Sequence, residues 1–213
     1  APMCILLCGS TELMYATIDY SIPERLPSST LYMYGYFAKE KYIKEIREVL
    51  VKDIQLKQPI SPEYLEELNR IKNSNNAVGV SIRYGMDYKS LGWPICSHEY
   101  YKRAMNLIKK QRGDCSFFIF SDALDQIKSE GWFDGMDVEY VNGFSVPESF
   151  MLLKACDDFV IPNSSFAWWA SWLASKEDKI VYAPDVFYSD HRYDRLLDFE
   201  GELFLNHITG DSI

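Results

Sequence analysis

A chain of 213 residues with 47% hydrophobic and 15% aromatic side chains can bury a full core, which excludes a disordered or low-complexity class. Its net charge of −9 argues against non-specific nucleic-acid binding, so a phosphate-bearing ligand must be held by local donors working against the overall field. The five cysteines, Cys4, Cys8, Cys96, Cys115 and Cys156, form no C-x-x-C pair and no cluster with zinc spacing. They read as reduced thiols of a cytoplasmic protein, and neither a signal peptide nor a membrane-length apolar run is visible.

In chain order, Cys4 to Cys8 is a short apolar run ended by Gly9 and predicts a strand. Residues 19 to 30 read as loop, and Leu31 to Phe37 as a tyrosine-rich extended segment. Lys39 to Ile54 has helical periodicity, with Ile43, Ile46, Val49, Leu50 and Ile54 on one face. Ser61-Pro62 is a capping residue followed by proline at the first helical position. It opens a second helix whose apolar face is Tyr64, Leu65, Leu68 and Ile71.

From Ala77 a strict alternation begins. Strands are expected at Ala77 to Ile82, Phe117 to Phe120, Val138 to Val141, Phe159 to Ile161 and Ile180 to Ala183. Helices are expected at Glu99 to Lys110, Leu124 to Glu130, Pro147 to Ala155 and Ser164 to Ala174. Strands separated by single helices predict a parallel sheet with right-handed crossovers, a Rossmann-type α/β fold. Residues 189–213 read as an irregular tail. Ligands of such sheets lie beyond the carboxyl ends of the strands. Arg83, Ser121-Asp122, the segment Asn142 to Glu148, and Asn163 to Ser165 all fall there.

The most informative stretch is Asp157 to Leu173, DDFVIPNSSFAWWASWL. A strand, a tight turn and a helix opening on two serines would place hydroxyl donors beside unpaired backbone N–H groups, a phosphate site. Trp168, Trp169 and Trp172 read as core. Each candidate also has a structural role open to it: Arg83 pairing with Asp87, Asp122 or Ser164 capping a helix, Glu148 favouring a helix dipole. No G-x-x-x-x-G-K-[ST], G-x-G-x-x-G or G-x-S-x-G motif is present, and His98, His191 and His207 lack metal spacing.

The segment Asn163-Ser164-Ser165-Phe166-Ala167-Trp168-Trp169-Ala170-Ser171-Trp172-Leu173, followed by Val181-Tyr182-Ala183-Pro184, resembles the α-1,2-fucosyltransferases of glycosyltransferase family 11. Phe120-Ser121-Asp122 matches that family's F-S-D block. Glu148 ahead of Leu152, Leu153 and Cys156 matches its acidic residue before L-M-x-x-C. Tyr34-Gly35-Tyr36-Phe37 with Glu40-Lys41-Tyr42 is similar to its G-Y-W-Q-S-E-K-Y-F segment. The family's H-x-R-R-G-D-Y motif is altered to Ser81-Ile82-Arg83-Tyr84-Gly85-Met86-Asp87-Tyr88, and its G-G-L-G-N-Q loop has no counterpart.

The resemblance implies a GT-B-like fold. Residues 77–188 would form the Rossmann-like GDP-sugar domain, residues 1–76 a partial acceptor-side domain, and residues 189–213 a tail packing back on the N-terminal part. It implies inverting transfer of L-fucose from GDP-fucose to the 2-hydroxyl of a galactose in a glycan, without a metal. The alternative is a weakly active or inactive GDP-sugar-binding relative. Arg83 would neutralise the leaving diphosphate, with Ser164, Ser165 and the helix N–H groups on the β-phosphate. Glu148 would accept from guanine N1 and N2, and Asp122 would lie near the ribose or base. Asn163 and Phe166 would complete the donor site. Asp87 is a base candidate by position, or else orients Arg83. A lipid-linked acceptor would bring the cytoplasmic protein to the inner face of the membrane.

Overall fold

The computed structural model describes residues 4–8, 13–16, 31–32, 40, 43–57, 59–187 and 199–213. The segment around Tyr34 to Phe37, the pair Lys41-Tyr42 and His191 lie outside them. Residues 1–37 form one compact unit and residues 38–213 a second. In the first, β1 (Cys4–Cys8) pairs antiparallel with β2 (Leu13–Ala16) and β3 (Leu31–Tyr32), in the order β2-β1-β3.

The second unit is an α/β layer structure. Its strands are β4 (Ala77–Ile82), β5 (Ser116–Ser121), β6 (Glu139–Tyr140), β7 (Asp158–Val160), β8 (Val181–Pro184) and β9 (Glu202–Leu205), all parallel, in the order β6-β5-β4-β7-β8-β9. The helices are α1 (Arg47–Asp53), α2 (Pro62–Asn73), α3 (Met86–Ser90), α4 (His98–Arg112), α5 (Leu124–Ser129), α6 (Val146–Lys154) and α7 (Ser165–Leu173).

Period-two alternation along β4 divides the core. Val78, Val80 and Ile82 face α4 and α5, among Tyr100, Ala104, Met105, Ile108 and Ile127. Ala77 belongs to the opposite layer, with Tyr64 and Ile71 of α2, Leu152 and Leu153 of α6, and Trp168 and Trp172 of α7. Gly79 lets α6 approach: a Cβ there would sit 2.6 Å from Leu153 Cδ1 and 3.1 Å from Cys156 Sγ. Gly79→Ala is therefore expected to cost about 1–3 kcal/mol by overpacking, read from a denaturant midpoint. An unchanged midpoint would mean that α6 shifts freely.

Four expectations need correction. The helix expected over 39–54 is shorter, a 3₁₀ turn (Lys44–Ile46) leading into α1, with Ile46 48% and Val49 56% exposed. Leu65, expected on the buried face of α2, is 45% exposed. The tail expected to be irregular supplies β9, which pairs along β8 from Val181↔Glu202 to Pro184↔Leu205. Trp168 and Trp172 are fully buried and stacked, centroids 5.8 Å apart, whereas Trp169 is only half-buried. The first compact unit ends at Phe37, and α1 and α2 pack on the sheet layer of the second.

The carboxyl end of α7 gathers cations. Arg47 and Lys179 both donate to the carbonyls of Trp172 and Ala174. Burial, and then the neighbouring Arg47 guanidinium, push the Lys179 ammonium down from the ordinary 10.5 to about 8. Between those two values the unfolded chain holds a proton that the folded chain has released, so this group makes stability rise with pH from about 8 to 10.5 and contributes no slope below. Lys179→Met should flatten that segment of a plot of melting temperature against pH; an unaltered slope would refute the assignment.

Candidate active site

The carboxyl edge of the parallel sheet is built from the loops after its strands. After β4, Arg83 extends its guanidinium to Asp122 Oδ2 (2.7 Å), just past β5, and to Asp87 Oδ2 (2.8 Å) on α3. Asp122 Oδ1 accepts the N–H groups of Tyr84 (2.9 Å) and Gly85 (3.2 Å), so this carboxylate shapes the loop as well as holding its cation. A Cβ on Gly85 would lie 2.6 Å from Asp122 Oδ2 and 2.9 Å from Asp87 Oδ1, so any larger residue there displaces one of the two carboxylates. The N–H of Tyr88, and then Arg83, hold the Asp87 carboxyl below its usual range. That favours orientation of Arg83 over proton uptake.

Tyr88 was not singled out in the sequence, yet it joins the two halves of the site. Its ring lies 5.2 Å from the Arg83 guanidinium carbon, and its buried hydroxyl donates to the Asn163 carbonyl at 2.6 Å. Tyr88 thereby links Arg83 to the turn that opens α7. Tyr84, where the family motif has a second arginine, is turned against Trp132 (centroids 4.8 Å) with the Lys89 ammonium 3.4 Å over its ring.

Asn163 is 3% exposed and its amide donates to the Phe187 carbonyl at 2.9 Å, tying the loop after β7 to the loop after β8. Among the described residues its Oδ1 is buried without a partner. The chain turns at Ser164, whose extended backbone (φ −133°, ψ 126°) makes it the N-cap of α7, yet its side chain makes no capping bond. No acidic side chain occupies the first turn of α7. The half-buried Ser164 and Ser165 can therefore offer hydroxyls beside the free N–H groups of the turn. Phe166 packs edge-on against Phe150 of α6, centroids 5.4 Å apart.

Glu148 stands apart. It closes a capping box at the start of α6, its Oε2 accepting from the Ser145 N–H (2.9 Å) and hydroxyl (2.6 Å). Those bonds, hydroxyl first, lower its pKa. Only Oε2 is used in the box, and among the described residues no hydrogen bond or ion pair joins Glu148 to Arg83 or Asn163.

A second unforeseen element is an aspartate–histidine pair beyond β8 and β9. Asp185 Oδ1 meets His207 Nδ1 at 2.8 Å and the His207 N–H at 2.9 Å, and Asp185 Oδ2 accepts from Asn206 at 3.0 Å. Asp185 directly follows β8 and His207 stands two residues past β9, a signal visible only once 202–205 is known to be a strand.

Residues 17–200 match the profile of glycosyl transferase family 11. The chain belongs to this family. An α-1,2-colitosyltransferase of Escherichia coli is 28% identical over 163 residues, 72% of this chain and 55% of that relative. The O-antigen biosynthesis glycosyltransferase WbnK of Escherichia coli is 25% identical over 177 residues, 77% of this chain and 57% of that relative. The family 11 chain thus spans about half the length of these curated relatives. Among solved structures, NodZ α-1,6-fucosyltransferase soaked with GDP-fucose aligns with a TM-score of 0.40 and 14% identity, over 68% of this chain and 62% of that one. NodZ from Bradyrhizobium aligns with a TM-score of 0.34 and 15% identity, over 64% and 60%. Among the described residues of this family 11 chain, no helix is long and apolar enough to cross a membrane.

Proposed function

We propose that this family 11 glycosyltransferase moves L-fucose from GDP-fucose to the 2-hydroxyl of a galactose in a glycan, with inversion and without a metal. The carrying observation is the junction Arg83–Tyr88–Asn163, in which Tyr88 joins a guanidinium to a helix start that carries two serines. In such a transfer the anomeric carbon gains oxocarbenium character while GDP leaves with growing negative charge. Stabilising that charge is the main task. Arg83 presents the planar fork for it and exchanges carboxylate partners for phosphate oxygens. Ser164, Ser165 and the α7 N–H groups hold the β-phosphate. Glu148, with Oε1 outside its capping box, takes the guanine N1 and N2 donors, and Asp122 shapes the loop that carries Arg83.

We read the chain as the donor half of a GT-B arrangement. The α-1,2-colitosyltransferase among its relatives makes colitose the competing donor sugar. A second possibility, GDP-sugar binding with weak or no transfer, is favoured by one observation: Tyr84 adds no cation, and Arg83 faces two carboxylates. Calorimetric titration with GDP, against ADP and UDP, tests the donor site. Selective GDP binding supports it, and absence of binding overturns it. Adding GDP-fucose and galactosides to a GDP-binding chain, with linkage analysis of the product, separates transfer from binding alone.

A further inference from the structure

The proposed transfer needs a group that removes the proton of the attacking hydroxyl. Asp87 is poorly suited, being committed to Arg83 and to the N–H of Tyr88. The same sheet edge carries another titratable pair. The strand order places the Glu148 loop after β6, Arg83 after β4, Asn163 after β7, Asp185 after β8 and His207 after β9. A donor whose base lies toward β6 and whose diphosphate lies at β4 and β7 directs its sugar toward β8 and β9. The loops there are interlocked with the phosphate turn. Asn163 donates to Phe187, two residues past Asp185, and the Ser97 N–H donates to the His207 carbonyl at 2.9 Å.

We infer that His207, oriented by Asp185, is the proton acceptor for the glycan hydroxyl in this reaction. The inference rests on the glycosyl-transfer reading above. Three N–H groups fix the Asp185 carboxylate, one of them the imidazole Nδ1–H, so Nε2 is left as the basic atom. Both side chains are 19% exposed, open enough to meet a substrate and enclosed enough to keep their geometry. In the step, Nε2 takes the hydroxyl proton and the acceptor oxygen forms a bond to the anomeric carbon. The bond from that carbon to the diphosphate breaks, and GDP leaves with the electron pair. The imidazolium is stabilised by Asp185 until solvent takes the proton.

The elements packed around His207 carry Cys96, Glu99, Arg103, Glu202 and Asp211 besides Asp185. Burial holds Cys96 protonated, pushing its thiol up to about 12. Among the described residues, Asp185 is the charged group in hydrogen-bond contact with the ring, at 2.8 Å.

His207→Asn keeps an N–H donor toward Asp185 and removes the proton acceptor. The test measures GDP affinity, melting temperature, and the pH profile of GDP-fucose transfer and hydrolysis for wild type and variant. The expected result is unchanged GDP affinity and melting temperature, a turnover lower by about 100-fold or more, and loss of the acidic limb of the profile. His207→Gln, judged the same way, covers the case in which the asparagine variant fails to fold. Unchanged turnover and profile overturn the inference. So does a wild type that binds GDP yet neither transfers nor hydrolyses GDP-fucose. A wild type that does not bind GDP fails at the donor site, a distinct result that removes the earlier reading as well.

Discussion

Arg112→Met should destabilise the protein by about 3–5 kcal/mol, because it leaves a buried carboxylate without its main partner. Asp158 of β7 has a side chain 0% exposed and receives the Arg112 guanidinium through two bonds, Nε to Oδ2 and Nη2 to Oδ1, each 3.0 Å. Arg112 also reaches Asp178, at its carboxylate (2.9 Å) and its carbonyl, so α4 is tied to the loop before β8. What remains after the substitution is Lys176 at 3.5 Å and the Ile180 N–H at 2.7 Å. Urea unfolding monitored by tryptophan fluorescence measures the cost. The double variant with Asp158→Asn should recover much of it, since removing both charges leaves none buried alone. A loss below about 1 kcal/mol, the scale of a surface pair, would show that Lys176 and Ile180 suffice.

Arg83→Ala is expected to weaken GDP binding by about 10–100-fold, the scale of losing a charged hydrogen-bonding partner. The melting temperature should stay within a few degrees. The Arg83 side chain is 30% exposed, and the loop it leaves is still held by Asp122 through the N–H groups of Tyr84 and Gly85. Calorimetry on both proteins decides it. A large stability loss with unchanged GDP affinity would make Arg83 a structural residue of the β4 loop.

Local signals in the chain carried the sheet layer well. Ser61-Pro62 opens α2 where a cap followed by proline predicts, and the run Ala77 to Ile82 is β4. Gly131, with φ +67°, stands two residues beyond α5. What escaped depended on partners distant in sequence. Residues 202–205 become a strand because β8 offers an open edge, and nothing within Glu-Leu-Phe-Leu announces that neighbour. The five residues of α3 are too few to display helical periodicity. Ile46 and Val49 continue an apolar pattern in the sequence but find no surface to cover among the described residues.

The site followed the same rule. The strand-end rule picked out Arg83, Asp122 and Asn163. Tyr88 emerged only when α3 brought its hydroxyl to Asn163, and His207 only when β9 set it beside Asp185.

The pairing of β4 has a consequence for biosynthesis. Its partner β5 lies about forty positions on, with Val78 opposite Phe117, but its other partner β7 comes eighty positions later, with Val78 opposite Asp158. A nascent chain therefore holds half of its central strand open while α4, β5, α5, β6 and α6 leave the ribosome. Synthesis at about 5–20 residues per second leaves that apolar edge uncovered for several seconds. A pause before residue 158 would lengthen the exposure, whereas one after β7 would leave β4 already enclosed.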